Sequence, residues 1–484
     1  MSYQKVASLG MAWLAIGMVV SKLASFASIF VLGWYLSSEE FALYALAYSS
    51  SSVFIAIRNG GVQQILIQRG IKSFDRLSSL FFKYAAIFNL SAMFLLLGSM
   101  PVISKIYGNE VLSNIVLVIA LSLPLSTFSM LYRAKLSTCH KFSYLAKFDM
   151  FSSIIRHSSS ALLAFLGFGV FSFVLPLIIV GIFEILIGYW YVGKISFWSK
   201  RLTIGIGLKI FATAKWVVFA SLASAIILQG DYLVLGLFES KEVVGQYFFG
   251  FQLTMAISVV ITSGLSSVIM PIFSKLNGDE ERQLNAFKKA FRIYSFSVLL
   301  FASFLIITAD PLIKILWKGK WDEAIIVVQV IALSMVTRLL TPLGRSLLEA
   351  KKKWRLVSML LAADAFGIVS AASLGVWYGG LLEVALFVSC YRFVYGVVYL
   401  VVVAKAVAIN ISSIFRPLAK VFIAGSVSLS YTFLYFNGLF EMDNMIIKSI
   451  LLLFVYCLLV FLALWVVNKN QIFEFYGLLK NIKR

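Results

Sequence analysis

The sequence predicts an all-α polytopic membrane protein of about 14 transmembrane helices, with two six-helix pseudo-symmetric bundles followed by two C-terminal helices. Three observations predict it. The chain is 61% hydrophobic and 13% charged, with a mean hydropathy of +0.95. Soluble chains carry about 45–50% apolar and about 25% charged residues, so lipid must cover what no water-soluble core can bury. The apolar residues form long continuous runs rather than alternating runs of about ten, which selects helices over barrel strands. Finally, residues 32–44 (LGWYLSSEEFALY) and residues 235–247 (LGLFESKEVVGQY) say nearly the same thing, each where one apolar run ends and the next begins. A hydrophobic chain that repeats itself at half-length builds two packed bundles around a shared cavity.

A span needs about 20 mostly apolar residues. Breaking the chain at charge clusters and Gly/Asn/Ser joints gives segments near 11–35, 40–66, 79–104, 111–134, 145–168, 171–193, 209–237, 244–273, 288–317, 323–347, 355–378, 382–405, 417–437 and 446–468. The first is read as an uncleaved span rather than a signal peptide, because Lys22 lies inside it and apolar sequence runs on to Leu36. Trp34, Tyr35, Trp190, Tyr191, Trp317, Trp321, Trp377 and Tyr378 fall at span ends, as interfacial aromatics do. Pro124, Pro176 and Pro342 fall inside spans, where each removes a helix hydrogen bond and kinks its segment.

The loops carry the topology. The net charge of +21 is concentrated after even-numbered segments: Arg69, Lys72 and Arg76, then Arg133, Lys135, Lys141 and Lys147, and so on to the Lys351–Lys353 run and the C-terminal tail. Odd-numbered loops hold little beyond Lys105, Lys241 and the Lys314/Lys318/Lys320 group, with acids such as Glu39, Glu40, Glu239 and Glu242. The bias places the even loops and both termini in the cytoplasm and supports an even span count. It also accounts for the basic charge without nucleic acid. Both repeat copies then lie in outward loops, between segments 1 and 2 and between 7 and 8. The expected organisation is an N-terminal bundle over 1–208, a C-terminal bundle over 209–410 in the same orientation, two added spans over 411–468 and a cytoplasmic tail over 469–484.

Several stretches resemble the polysaccharide flippases of bacterial envelope synthesis, the O-antigen, teichuronic-acid and exopolysaccharide lipid-intermediate translocases. Their superfamily also holds multidrug-and-toxin exporters and the lipid II flippase. The stretches are LGWYLSSEEFALYALA with NGGVQQILIQRG (59–70), GDYLVLGLFESKEVVGQYFFGFQL (230–253), PIFSKLNGDEERQLNAFKKAFR (271–292), and ADPLIKILWKGKWDEAIIVVQVIAL (309–333) running into GRSLLEAKKKWR (344–355). The resemblance covers roughly residues 10–405 and departs at Ala42, where the family's first loop carries Gly. It implies alternating access in a bacterial cytoplasmic (inner) membrane. It also implies an undecaprenyl-pyrophosphate-linked oligosaccharide as substrate, and cell-surface polysaccharide synthesis, lipopolysaccharide or exopolysaccharide, as the pathway served. Beyond that lipid-linked substrate, the expected partners are membrane lipids, a coupling H⁺ or Na⁺, and the polysaccharide polymerase machinery.

Ionisable groups inside spans are costly and mark function by default. The cations are Lys22, Arg58, Arg156, Lys215, Arg338 and Arg392; the acids are Asp231, Glu184, Asp364 and Glu383. An excess of buried positive charge suits an anionic headgroup, since guanidinium and ammonium groups replace the water a pyrophosphate loses, and Arg does so bidentately. Lys22, Arg58, Arg156, Lys215, Arg338 and Arg392 are therefore the candidate substrate-binding set. Asp231, Glu184 and Asp364 are the candidates for proton or ion coupling. The bland readings stand beside these: an Arg392–Asp364 structural ion pair, Asp231 paired with Lys241, and Lys215 and Arg338 reaching the cytoplasmic interface. Gln63, Gln64, Gln229, Asn59 and Ser49–Ser52 offer hydrogen-bonding walls for sugars.

Cys139, Cys390 and Cys457 and the two histidines lack metal-ligand spacing, so no metal or cofactor is expected. No nucleophile–base pair or P-loop appears, which argues against an enzyme and against ATP as energy source. A cation–drug antiporter of the same superfamily is the alternative, and calls for an acid-dominated cavity. A polysaccharide polymerase or ligase calls for a large outer loop that this chain lacks.

Overall fold

The computed structural model describes residues 3–195, 197, 204–276 and 279–412, with short pieces at 414–416, 418–420, 422–423, 451, 454–459 and 462. The regular elements there are helices: α1 (Tyr3–Tyr35), α2 (Ser38–Ile55), α3 (Val62–Gln68), α4 (Ile71–Tyr107), α5 (Val111–Ser122), α6 (Leu125–Thr138), α7 (Phe142–Phe165), α8 (Phe171–Val192), α9 (Ile204–Phe238), α10 (Lys241–Lys275), α11 (Glu280–Trp317), α12 (Asp322–Arg338), α13 (Thr341–Ala350), α14 (Trp354–Tyr378) and α15 (Leu381–Ala406). Each of the first twelve predicted segments coincides with a helix or a broken pair. The segments at 417–437 and 446–468, and the tail at 469–484, lie almost wholly outside the described residues. Of what is described there, Tyr456 packs on Leu299, Ala302 and Val336.

Among the described residues, nine spans are long and apolar enough to cross a membrane. α2 and α7 are not among them, for a visible reason. α2 carries the Ser49–Ser52 run, and α7 carries Lys147, Asp149 and Arg156. Hydroxyl and charged side chains lower the hydropathy of these two helices, and such groups inside a span mark function by default.

The breaks follow local chemistry. α2 and α3 are separated by a 3-10 turn over Arg58–Gly61, and Gly61 adopts φ +70, where a side chain would be strained and would strike Val217. Pro124 sits at the break between α5 and α6, and Pro342 in the first turn of α13 just past the break after α12. The fourth span of each predicted half is thus interrupted beside a proline. Pro176 lies inside α8, which continues through it.

The chain divides into two compact units. The first comprises Met1–Phe249 with Ile368–Val376, and the second Gly250–Gly367 with Trp377–Arg484. In the first unit α1 lies along α7 in parallel. Ser153 donates to the Ser21 carbonyl at 3.4 Å, and Tyr35 meets Phe165 edge-on at 5.7 Å. α6 and α8 also run parallel and unusually close, because Gly181 and Gly188 leave room for Leu125 and Tyr132. In the second unit Thr337 of α12 donates to the Phe393 carbonyl of α15 at 2.9 Å, next to Gly396.

The repeat frame has a structural meaning at both joints. Ser37 caps α2 in a full capping box with Glu40: the Ser37 N–H donates to Oε2 at 2.7 Å and the Glu40 N–H donates to Ser37 Oγ at 3.3 Å. Ser240 plays the same part for α10, accepting from the Val243 N–H at 3.3 Å. Glu39 and Glu242 place negative charge in the first turn of each following helix.

Candidate functional site: a cationic cluster in the first unit

The close α6–α8 approach sets the base of the site. Arg133 of α6 lies between Leu125 and Thr138, facing Glu184, which lies between Gly181 and Gly188 on α8. Its Nη2 donates to Glu184 Oε1 at 2.6 Å, its Nη1 to Asp149 Oδ1 of α7, and its guanidinium lies 4.8 Å over the Phe148 ring. One guanidinium therefore fastens three helices and takes up both carboxylates.

Above this clasp come cations with no such partner. Arg58, in the 3-10 turn, is exposed and within electrostatic range of Arg133, Glu184, Arg156 and Tyr48. Arg156 lies within electrostatic range of the Tyr44 hydroxyl of α2. His157 lies within range of both Arg156 and the half-buried Lys22. Among the described residues, no carboxylate pairs with Lys22, Arg58 or Arg156. Four basic groups stand against two acids already bound to Arg133, so the cluster keeps two positive charges in excess.

Polar walls adjoin the cluster. Ser49 and Ser52 spend their hydroxyls on their own helix, at 3.1 Å to the Leu46 carbonyl and 2.6 Å to the Ser49 carbonyl. Ser50 bonds Tyr107. Ser51 Oγ and Gln229 Oε1 are buried without a hydrogen-bond partner among the described residues. The side chains of Asn59 and Gln64 lie outside the described residues.

The other candidates are placed differently. Arg338 pairs with Asp364 at 2.6 Å, at 18% and 4% exposure, and lies 5.4 Å over the Tyr395 ring. Tyr391 adds a hydroxyl donated to Asp364 Oδ1 at 3.3 Å. Asp364 thus pairs with Arg338 rather than with the expected Arg392, because Gly367 lets the Tyr391 ring press against α14 at this level. Arg392 is 3% exposed and lies 4.6 Å over Phe251. Lys215 is exposed, 5.7 Å from the Trp216 ring. Asp231 is fully buried and accepts from the Tyr247 hydroxyl at 3.0 Å.

The structure therefore brings Lys22, Arg58, Arg156 and Glu184 together in the first unit, where Lys215 and Asp231 have other neighbours; Arg338, Arg392 and Asp364 belong to the second unit. Sequence reading missed Arg133, Asp149, Tyr44 and Tyr48. Arg133 reads as a loop residue of the positive-inside series, whereas its helix runs on to Thr138. Tyr44 carries one usable signal, since the repeat keeps a tyrosine at both copies, 44 and 247.

Fold and site define a polytopic helical membrane protein that holds a cluster of basic groups within one helix unit, in excess of the acids found there among the described residues. Residues 31–326 match the family described as polysaccharide biosynthesis protein, and the chain belongs to that family. The teichuronic acid biosynthesis protein TuaB of Bacillus subtilis (strain 168) is 24% identical over 383 residues, 75% of each chain. The solved lipid II flippase MurJ, in an inward closed conformation, shares the fold with a TM-score of 0.74 at 15% identity, covering 95% of this chain and 99% of that one. An inward-facing multidrug resistance MATE family transporter of the MOP superfamily follows with a TM-score of 0.66 at 16% identity, covering 81% and 98%.

Proposed function

We propose that the protein is a flippase. It carries undecaprenyl-pyrophosphate-linked oligosaccharide units from the cytoplasmic to the outer leaflet by alternating access, for cell-surface polysaccharide synthesis. The observation that carries this reading is the charge surplus at Lys22, Arg58 and Arg156 inside a membrane-spanning unit. A pyrophosphate diester brings two negative charges, and the cluster holds two positive charges in excess. Cations without counterions within a membrane-spanning unit are costly, so a travelling anion gives them a purpose. The names of TuaB and of the lipid II flippase point to the same substrate class. The polyprenyl tail stays in lipid while the sugars follow the Ser and Gln walls.

On this reading the protein sits in the bacterial cytoplasmic membrane with both termini inside, as the basic even-numbered loops favour. No bond is made or broken in the transport step. Coupling to H⁺ or Na⁺ falls to Asp231, a fully buried carboxylate that accepts from the Tyr247 hydroxyl, before Glu184 or Asp364, which are each held by an arginine. The MATE likeness favours a cation–drug antiporter as the second reading, but a basic cluster repels such cargo.

The test is complementation of strains lacking a lipid-linked oligosaccharide flippase, each with a defined repeat unit. Surface polymer restored in at least one strain, and lost on Arg58→Glu with protein still in the membrane, supports the reading. Polymer restored equally by the reversed variants removes it.

A further inference from the structure

The two copies of the repeated joint meet each other. Within the first unit, a Cβ at Gly245 would overlap the Ser38 carbonyl, and one at Gly236 would overlap the Leu46 side chain. Backbone approach of this kind is possible only without a side chain. Around the contact Phe41 lies 5.6 Å from Phe249 and 6.3 Å from Phe248, and Tyr44 meets Phe248 edge-on at 5.7 Å. Leu32, Leu235, Phe41 and Val244, all repeat positions, are buried. The repeat therefore builds a seam from the second joint laid against the first.

Tyr44 belongs to this seam and to the cationic cluster at once. Its ring stacks on Phe173 at 4.3 Å with an interplanar angle of 7° and on Tyr48 at 5.5 Å, while its hydroxyl lies within electrostatic range of Arg156. The equivalent tyrosine of the second copy, Tyr247, donates its hydroxyl to a buried ionisable group, Asp231.

We infer that Tyr44 is a positioning residue that couples anion binding to opening of the seam between the two repeat copies. A phosphate in the cluster draws Arg156 away from the Tyr44 hydroxyl. The ring then loses the neighbour that holds it stacked on Phe173 and edge-on to Phe248, and the seam parts. Coupling needs an element that both sites bias, and the Tyr44 ring is that element. The inference rests on the proposed anion site.

The test uses the full chain in nanodiscs with Cys139, Cys390 and Cys457 replaced by Ser and a single reporter, Val244→Cys, at a fully buried seam position. Farnesyl diphosphate is the probe. Its binding is measured separately by calorimetry, and a hydrophilic maleimide reports seam opening. In the parent the probe should bind and raise the labelling rate by about fivefold or more. In Tyr44→Phe, which keeps the ring, it should bind within about threefold of the parent and leave labelling unchanged. Adding Gly245→Ala, which wedges the seam, should give fast labelling without probe in either background and so prove the reporter sound in Tyr44→Phe. A Gly98→Ala control, where nothing stands within 4 Å of the added Cβ, should not. An equal probe-dependent rise in Tyr44→Phe overturns the coupling, as does loss of probe binding in that variant alone, which would make Tyr44 a mere ligand. A parent that binds the probe without any rise also overturns it. A parent that does not bind the probe removes the anion site itself, and the coupling with it.

Discussion

Arg133→Leu strands two carboxylates, and the structure says which one matters. Glu184, 12% exposed and 2.6 Å from the guanidinium, loses this counterion in a largely buried place. Breaking a buried pair by removing one partner costs about 3–5 kcal/mol, and the lower end suits a partner that retains some exposure. Asp149 is 44% exposed and re-solvates, so its share is under about 1 kcal/mol. The guanidinium over Phe148 adds about 0.5–1 kcal/mol. The expected loss is about 4 kcal/mol of unfolding free energy, read by SDS or thermal unfolding of purified protein. Arg133→Leu with Glu184→Leu should recover about half of it, because no charge is then left stranded. The same substitution also lowers the cluster's surplus from two positive charges to one. At about 7 Å and an effective dielectric of about 20, one charge against another is worth about 2 kcal/mol, so farnesyl diphosphate should bind about 30-fold more weakly. A single variant as stable as the parent, or a double variant no better than the single, would refute the clasp.

Other expectations follow from the same geometry. Lys22→Glu and Arg156→Glu should each abolish polymer export in the complementation strain while membrane levels stay normal on immunoblots, whereas Arg392→Gln should lower those levels first, since Arg392 is packed against Phe251. Binding of farnesyl diphosphate should weaken as salt rises from about 0.05 to about 0.5 M, because the Debye length falls below the spacing of the cationic groups; calorimetry at constant pH checks this. Ser37→Ala removes the capping box of α2 and should cost about 1 kcal/mol, measurable as a lower unfolding midpoint. Gly188→Val drives a side chain into the Tyr132 ring, so it should separate α6 from α8 and reproduce the Arg133→Leu loss of stability, read as a lower unfolding midpoint, without changing any charge.

The spans were legible because bilayer thickness imposes one length on every helix, and the repeat was legible because both joints use the same Ser cap. The charge pairs were not. Arg133 and Glu184 are joined by the small-residue face of α8, and nothing local to either residue announces the other across the intervening chain. Asp364 chose Arg338 over Arg392 through helix rotation, which hydropathy does not encode. Pro124 and Pro342 were expected to bend their spans, and each instead stands at an interruption, because the lost hydrogen bond lies where the neighbouring carbonyls find 3-10-type partners at Pro124 and Leu340. Proline 176 shows the other outcome, a helix that tolerates the ring.

The poor hydropathy of α7 bears on how the chain enters the bilayer. A charged residue at mid-span costs about 3 kcal/mol to insert, and α7 brings Asp149 and Arg156 together with Lys147 nearer its end. α1, made much earlier, has α7 as its parallel neighbour. The ribosome thus delivers α1 well before the helix against which it rests. α7 in turn depends on the strongly apolar α8, with which it forms a hairpin, to be drawn out of the translocon. Shortening or polarising α8 should therefore leave α7 stalled at the membrane surface and α1 without its neighbour, a biogenesis failure whose cause lies far along the chain from its first symptom.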